Sequence, residues 1–341
     1  MLPFKLFAHC IPVKGVNRSI ICDLQRKNFE FIPNILLEII TIHEGKTIKE
    51  IEDFYGTENS HSIKEYFDFL IEKEFIFFCE EEEIPLFPKM DLEWSSPVKI
   101  TNAIIDFNKD TDTIQYMSKI SNELNVLGCT VLELRFYDDV QLKTLTEILE
   151  HFSNHRIRMI NLILKYNANL FPSISDLCFK YQRVNFVYVH SAPEEKSELL
   201  NTSYTYVTLF EKVLAGHECC GVISPIHFRS NVQNFTENLQ FNSCLNRKIG
   251  IDVEGHIKNC PSSKTSFGNV KNTSLIDVID NITFKSYWGI NKDQIKVCKE
   301  CEFRYICSDC RVYIENDNDI YSKPAKCNYD PYTNEWKEPV I

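Results

Sequence analysis

Along the first ninety residues the apolar positions change period several times. Arg18 to Leu24 and Asn28 to Ile32 are short runs rich in β-branched and aromatic residues and predict strands. Pro33 then opens a helix in which Ile35, Leu36, Ile39 and Ile40 recur at helical spacing. Thr47, with Glu50 three residues on, is a capping-box signature ahead of a helix buried through Ile48, Ile51 and Tyr55. A third helix starts near Ser60 and buries Ile63, Phe67 and Leu70, and Phe75 to Cys79 reads as a closing strand. Strands, three helices and a wing predict a winged-helix-like domain over residues 1–90. The acidic run Glu80-Glu81-Glu82-Glu83, followed by Pro85 and Pro88, ends it as a solvated linker.

Residues 97–240 change to a βα rhythm. Lys99 to Phe107 and Thr130 to Phe136 read as strands, and Leu142, Leu145 and Leu149 mark the helix after the second. Met159 to Tyr166 and Val184 to His190 are nearly continuously apolar, as strands covered on both faces are, with a helix at Ser173 to Tyr181 between them. The alternation predicts an α/β fold with a parallel sheet and crossover helices. There is room for about four or five βα units, fewer than the eight of a closed barrel.

Composition narrows the chemistry. The 341 residues suggest about two or three domains. Only ten glycines occur, and none forms a GxGxxG, GxxxxGK[ST] or GxSxG loop, which argues against a phosphate cradle or a nucleophile turn. His151, His155 and His190 read as surface or core histidines, and Asp138-Asp139 as a turn. The net charge of −11 argues against nucleic-acid binding, which depends on neutralising phosphates. The third helix agrees, since Glu65, Asp68, Glu72 and Glu74 outnumber Lys64 and Lys73. Such a module has two other uses: a structural cap, or a peptide site in which an extended segment adds to a sheet edge. The N-terminus shows no secretory signal and no apolar run approaches the ~20 residues of a membrane span, so a cytoplasmic protein without a membrane partner is expected.

Candidate chemistry lies in the cysteines, fourteen in all. Cys10, Cys22, Cys79, Cys129 and Cys178 are scattered singly and read as buried reduced thiols. The tail is different. Cys244 and Cys260 flank Gly255, then Cys298, Cys301, Cys307 and Cys310 follow in CKECEFRYICSDCR, and Cys327 closes the series. A two-residue gap lets two thiolates reach one metal centre from a single turn, and here the gap occurs twice. Thiolates in that pattern suit iron–sulfur clusters or zinc.

The strings NSCLNRKIGIDVEGHIKNCP, CKECEFRYICSDCRVYI and YSKPAKCNYDPYTNEW resemble the SPASM domain of the radical S-adenosylmethionine enzymes. They look closer still to the SPASM-domain peptide maturases of grasp-with-spasm cassettes, which are encoded beside an ATP-grasp ligase and a short precursor peptide. The first domain likewise resembles the leader-recognition element of peptide-modifying systems. The resemblance implies a SPASM iron–sulfur domain at 241–341 with two [4Fe–4S] clusters. It implies outer-cluster ligands Cys298, Cys301, Cys307 and Cys327. The inner cluster would take Cys244, Cys260 and Cys310 with an upstream fourth ligand, for which Cys220 in HECCG is the candidate and Cys219 or His217 the reserve. The wider family has three residues, not two, between the counterparts of Cys307 and Cys310.

One departure matters more. The cysteine triplet CxxxCxxC that holds the radical-generating cluster is absent, and the first barrel strand runs into Asn108-Lys109-Asp110-Thr111-Asp112 with no cysteine before Cys129. The resemblance therefore implies a partial, degenerate radical-SAM-like (β/α) barrel over 97–240, with S-adenosylmethionine not expected and no catalytic residue named. The expected role is an accessory protein or maturase in graspetide-type peptide modification. It would bind a precursor leader and act with an ATP-grasp ligase. Three alternatives stay open: a redox-active maturase using an open inner cluster, a zinc-stapled interaction protein, and a DNA-binding regulator.

Overall fold

The computed structural model describes residues 2–201 and 203–337. Strands β2 (Cys10–Lys14), β3 (Ser19–Asp23) and β4 (Asn28–Ile32) form an antiparallel meander, while β1 (Phe4–Leu6) stands apart. Helices α1 (Asn34–Ile42), α2 (Ile48–Tyr55) and α3 (Ser60–Glu72) follow, and β5 (Ile76–Phe78) returns to pair with β1. Thr47 caps α2 by accepting from the Glu50 N–H at 3.2 Å, and the Glu50 carboxylate accepts from the Thr47 N–H at 2.8 Å. Such a cap contributes about 1 kcal/mol. The helices bury Leu36, Ile39, Ile40, Ile51, Ile63, Phe67 and Leu70 against Phe4, Ile21 and Ile32. Ile35 departs from the expected stripe and is 41% exposed. The sequence pattern did not announce β1 or β2, because three residues are too few for a period and Pro12 interrupts the second run. Pro12 is tolerated because β2 is an edge strand.

The second sheet has eight strands. They are β6 (Asn102–Phe107), β7 (Val131–Phe136), β8 (Met159–Lys165), β9 (Val184–His190), β10 (Lys196–Leu200), β11 (Thr205–Leu209), β12 (Lys248–Ile251) and β13 (Ile257–Lys258). Their order is β10-β11-β9-β8-β7-β6-β12-β13. All contacts from β11 through β12 are parallel, and only the two edge strands are antiparallel. Six mutually parallel strands is more than the expected four or five units. The extra one is β12, drawn from beyond residue 241. Helices α4 (Met117–Leu127), α5 (Leu142–Glu150), α6 (Ile174–Lys180) and, later in the chain, α8 (Leu275–Asp280) cover one face. Alternate strand residues such as Leu132, Leu134, Ile160, Leu162 and Leu164 enter that core, which leaves Asp106, Glu133, Arg135 and Asn161 on the other face.

Helix α7 (Val232–Gln240) leads into the cysteine-bearing tail, which ends in the hairpin β14 (Tyr329–Asp330) and β15 (Glu335–Trp336). This tail is clamped on the N-terminal meander. The free face of β2-β3-β4 sets Val13, Ile20, Cys22 and Phe29 against Ile223, Phe235, Phe303, Ile306 and Tyr329. Phe303 is the hub, with ring centroids 5.7 Å from Phe29, 5.8 Å from Phe31, 4.9 Å from Phe228 and 5.1 Å from Tyr329. The β2–β3 turn adds polar ties: Val16 N–H donates to the Glu300 carbonyl at 2.9 Å, and Arg18 pairs with the buried Glu302 at 2.7 Å. No helix among the described residues is long and apolar enough to cross a membrane.

Candidate metal centres

The fold gathers the tail cysteines into two sets. Cys298, Cys301, Cys307 and Cys327 line one small apolar cavity of ≈ 20 Å³, walled by Ile223, Phe228, Phe303 and Tyr329. The string CKECEFRYIC makes this possible by turning twice: a short 3₁₀ turn at Cys298–Glu300 joins the first pair, and the Cys307 N–H donates back to the Phe303 carbonyl at 3.0 Å. Cys327 arrives from the chain ahead of β14.

The second set rests on the large sheet. Cys244 precedes β12 and Cys260 follows β13, so one hairpin presents both, its turn closed by Gly255 at φ +82°. Asn242 fixes the approach, its buried Oδ1 accepting from the N–H of Cys244 at 3.0 Å and of Leu245 at 2.8 Å. Cys220 and Cys310 face the same space as Cys244, and Cys244 and Cys220 each act electrostatically on both Cys260 and Cys310. The approach between them is close. Gly221, at φ +86°, lies where a Cβ would stand 3.1 Å from the Cys310 Sγ. His217, the other reserve ligand, has its Nδ1 3.1 Å from the Tyr313 hydroxyl.

Each set contains a lysine that the sequence reading passed over. Lys292 is 4% exposed and donates from Nζ to the Cys307 Sγ at 3.4 Å. Lys248, at the start of β12, donates to the Cys244 Sγ at 3.4 Å. Burial alone would push both ammonium groups toward neutrality, yet both are held above the ordinary lysine value, Lys292 by Cys307 and Cys298 and Lys248 by Cys244, Cys260 and Cys220. Burial raises the thiols in turn, Cys298 to about 11 and Cys260 to about 12. Metal binding therefore has to displace a proton from Cys298 and from Cys260. A buried ammonium with a sulfur partner is the charge pattern that an anionic thiolate–metal group requires, and the residues present fit one.

Asp309 lies between Cys307 and Cys310 and ties the two sets together. Arg311 donates to its Oδ1 at 2.8 Å and Asn242 to its Oδ2 at 2.6 Å, and all three are buried. None of these was singled out from sequence, although NSC and SDCR place polar residues directly beside cysteines.

The C-terminal ends of β6 and β7, where an open α/β sheet offers its crevice, are internally satisfied. Arg135 donates to both oxygens of Asp106 at 2.6 and 2.9 Å, and the Tyr137 hydroxyl donates to the second at 2.9 Å. Of the paired acids in the following loop, Asp138 accepts from the Lys109 N–H at 3.1 Å and Asp139 faces Lys165 at 3.4 Å. His190 is fully buried and bonded, while His151 and His155 lie in the turn that ends α5. The single cysteines Cys10, Cys22, Cys79, Cys129 and Cys178 are all buried.

No family model matches the chain, and no curated protein matches it. Among solved structures it is similar to SuiB of Streptococcus suis bound to S-adenosylmethionine, at 13% identity over 94% of this chain and 98% of that one, with a TM-score of 0.34. A second structure of SuiB gives 12% identity over 90% and 96%, with a TM-score of 0.31. A likeness this loose carries no functional argument.

Proposed function

We propose that the chain is an iron–sulfur accessory protein of ribosomal peptide modification. Its SPASM-like tail would hold two [4Fe–4S] clusters, the outer on Cys298, Cys301, Cys307 and Cys327 and the inner on Cys220, Cys244, Cys260 and Cys310. The observation that carries this is the sorting of eight thiols into two sets of four, each with one lysine donating to a sulfur. The spacing disfavours a preformed zinc site. Among the described residues no three of these sulfurs lie within 4.8 Å of one another, whereas Zn–S bonds of ~2.3 Å place sulfurs roughly 3.8 Å apart. Fully ligated clusters supply electron storage or covalent stapling of the fold.

The N-terminal winged-helix-like module would hold the leader of a precursor peptide, with an ATP-grasp ligase as the partner that forms the bonds. Its three-stranded sheet and three helices, with acidic α3, favour peptide over nucleic acid. Radical cleavage of S-adenosylmethionine is not part of this reading, because the segment after β6 has no cysteine triplet and Asp106 is already satisfied.

The deciding experiment is isolation of the full chain without oxygen. About eight iron and eight acid-labile sulfide per chain are expected; a colourless protein with about two zinc would replace this reading with the zinc-stapled one. Leader binding is checked by hydrogen exchange on the full chain with the precursor added. Slowed exchange confined to residues 241–341 would remove the role given to the first module.

A further inference from the structure

The two lysines at the thiol sets differ in what else they face. The acidic group beside Lys292, Asp309, is already answered on both oxygens by Arg311 and Asn242. The ammonium of Lys292 is therefore left to the sulfurs of Cys307, Cys298 and Cys327. Lys248 faces Cys244, Cys260 and Cys220, and beyond them Glu133, which also lies 3.9 Å from the Arg135 guanidinium. No carboxylate pairs directly with either lysine among the described residues. A methionine or leucine would fill either position without desolvating a charge, so the positive charge has to be balanced by negative charge at the sulfurs.

We propose that Lys248 and Lys292 are the charge-compensating positioning residues of the two centres, and that Lys292 sets the reduction potential of the outer one. The inference rests on the iron–sulfur reading. A [4Fe–4S] core with four thiolates is anionic, and one-electron reduction adds a further negative charge. A fixed ammonium at hydrogen-bond distance from a ligand sulfur stabilises the reduced form more than the oxidised form, in surroundings where little water screens it. The potential is raised accordingly. Each lysine touches a sulfur of its own set, so the two effects are separable.

The test uses the full chain with iron and sulfide counted first, then a dithionite titration followed by electron paramagnetic resonance. The Cys298→Ala chain, which retains the inner centre, assigns the two signals. Lys292→Met is expected to move the outer signal to a more negative potential and leave the inner one in place. Lys292→Arg, which keeps the charge, is expected to restore most of the shift, and Lys248→Met to move the inner signal alone. Loss of the outer cluster in Lys292→Met with retention in Lys292→Arg also supports the charge role. Equal potentials in wild type and Lys292→Met, equal shifts in Met and Arg, or loss of the cluster in both variants overturns it. Wild-type protein without iron and sulfide overturns the iron–sulfur reading and this inference with it; intact clusters with unmoved potentials overturn the inference alone.

Discussion

Gly221 and Cys310 meet so closely that a Cβ on the glycine would lie 3.1 Å from the cysteine sulfur. The backbone there is left-handed, at φ +86°. Gly221→Ala combines that strain, on the order of 1–3 kcal/mol, with a displaced Cys310. The inner centre is expected to be lost or made labile while the outer one survives. Iron content falling to about half that of the wild type, with the outer signal intact, checks it.

Cys220 and Cys219 are neighbours in sequence with different surroundings. Cys220→Ser is expected to reduce bound iron by about half. Cys219→Ser is expected to leave it unchanged, since Cys220 is the thiol that faces Cys244, Cys260 and Cys310. Iron and sulfide per chain distinguish the two variants. An equal loss in both would return the fourth ligand to the whole HECCG segment.

Phe303 is 3% exposed and holds the N-terminal meander to the outer-centre loop. Phe303→Ala removes four aromatic contacts and opens the cavity wall, which costs about 3–5 kcal/mol. Denaturant unfolding is expected to shift to a lower midpoint, and proteolysis to cut earlier between the first module and the tail. Oxygen should also bleach the outer centre faster, because Phe303 lines its cavity.

His190 gives a pH dependence with a definite sign. Burial pushes its imidazole below the ordinary 6.5, and the ring stays neutral with Nε2 at 3.2 Å from the Phe136 carbonyl and Nδ1 at 3.0 Å from the Ser191 hydroxyl. The unfolded chain protonates near pH 6.5 and the folded one only below it. The stability this histidine contributes is therefore complete above pH 6.5 and is lost as pH falls toward the folded value. Wild type is expected to lose stability more steeply than His190→Gln over that window in denaturation midpoints measured at successive pH values.

Much of the local structure was legible. The run Asn28–Ile32, the Thr47 cap and the buried side of α3 all follow from period and capping chemistry, because each depends on residues within one or two turns. β1 and β2 were not legible, nor was the entry of Lys248–Ile251 into the large sheet. A four-residue strand containing a glycine has no distinctive period, and its place is set by register with β6. Lys292 and Asn242 were invisible for a related reason. A lone lysine or asparagine carries no spacing signal, and its role depends on what packs around it.

By itself the amino-acid order determined the short-range chemistry: paired thiols two residues apart, helices with one apolar side, an acidic chain without a phosphate loop. Only the tertiary structure decided which sulfurs share a space. Cys220 reaches Cys310 from ninety positions away, and Cys327 joins Cys298 across a loop, through sheet pairing and aromatic packing rather than local geometry. Distant groups meet only where the whole core repays the entropy of closing the intervening chain, and that sum is not written in any one segment.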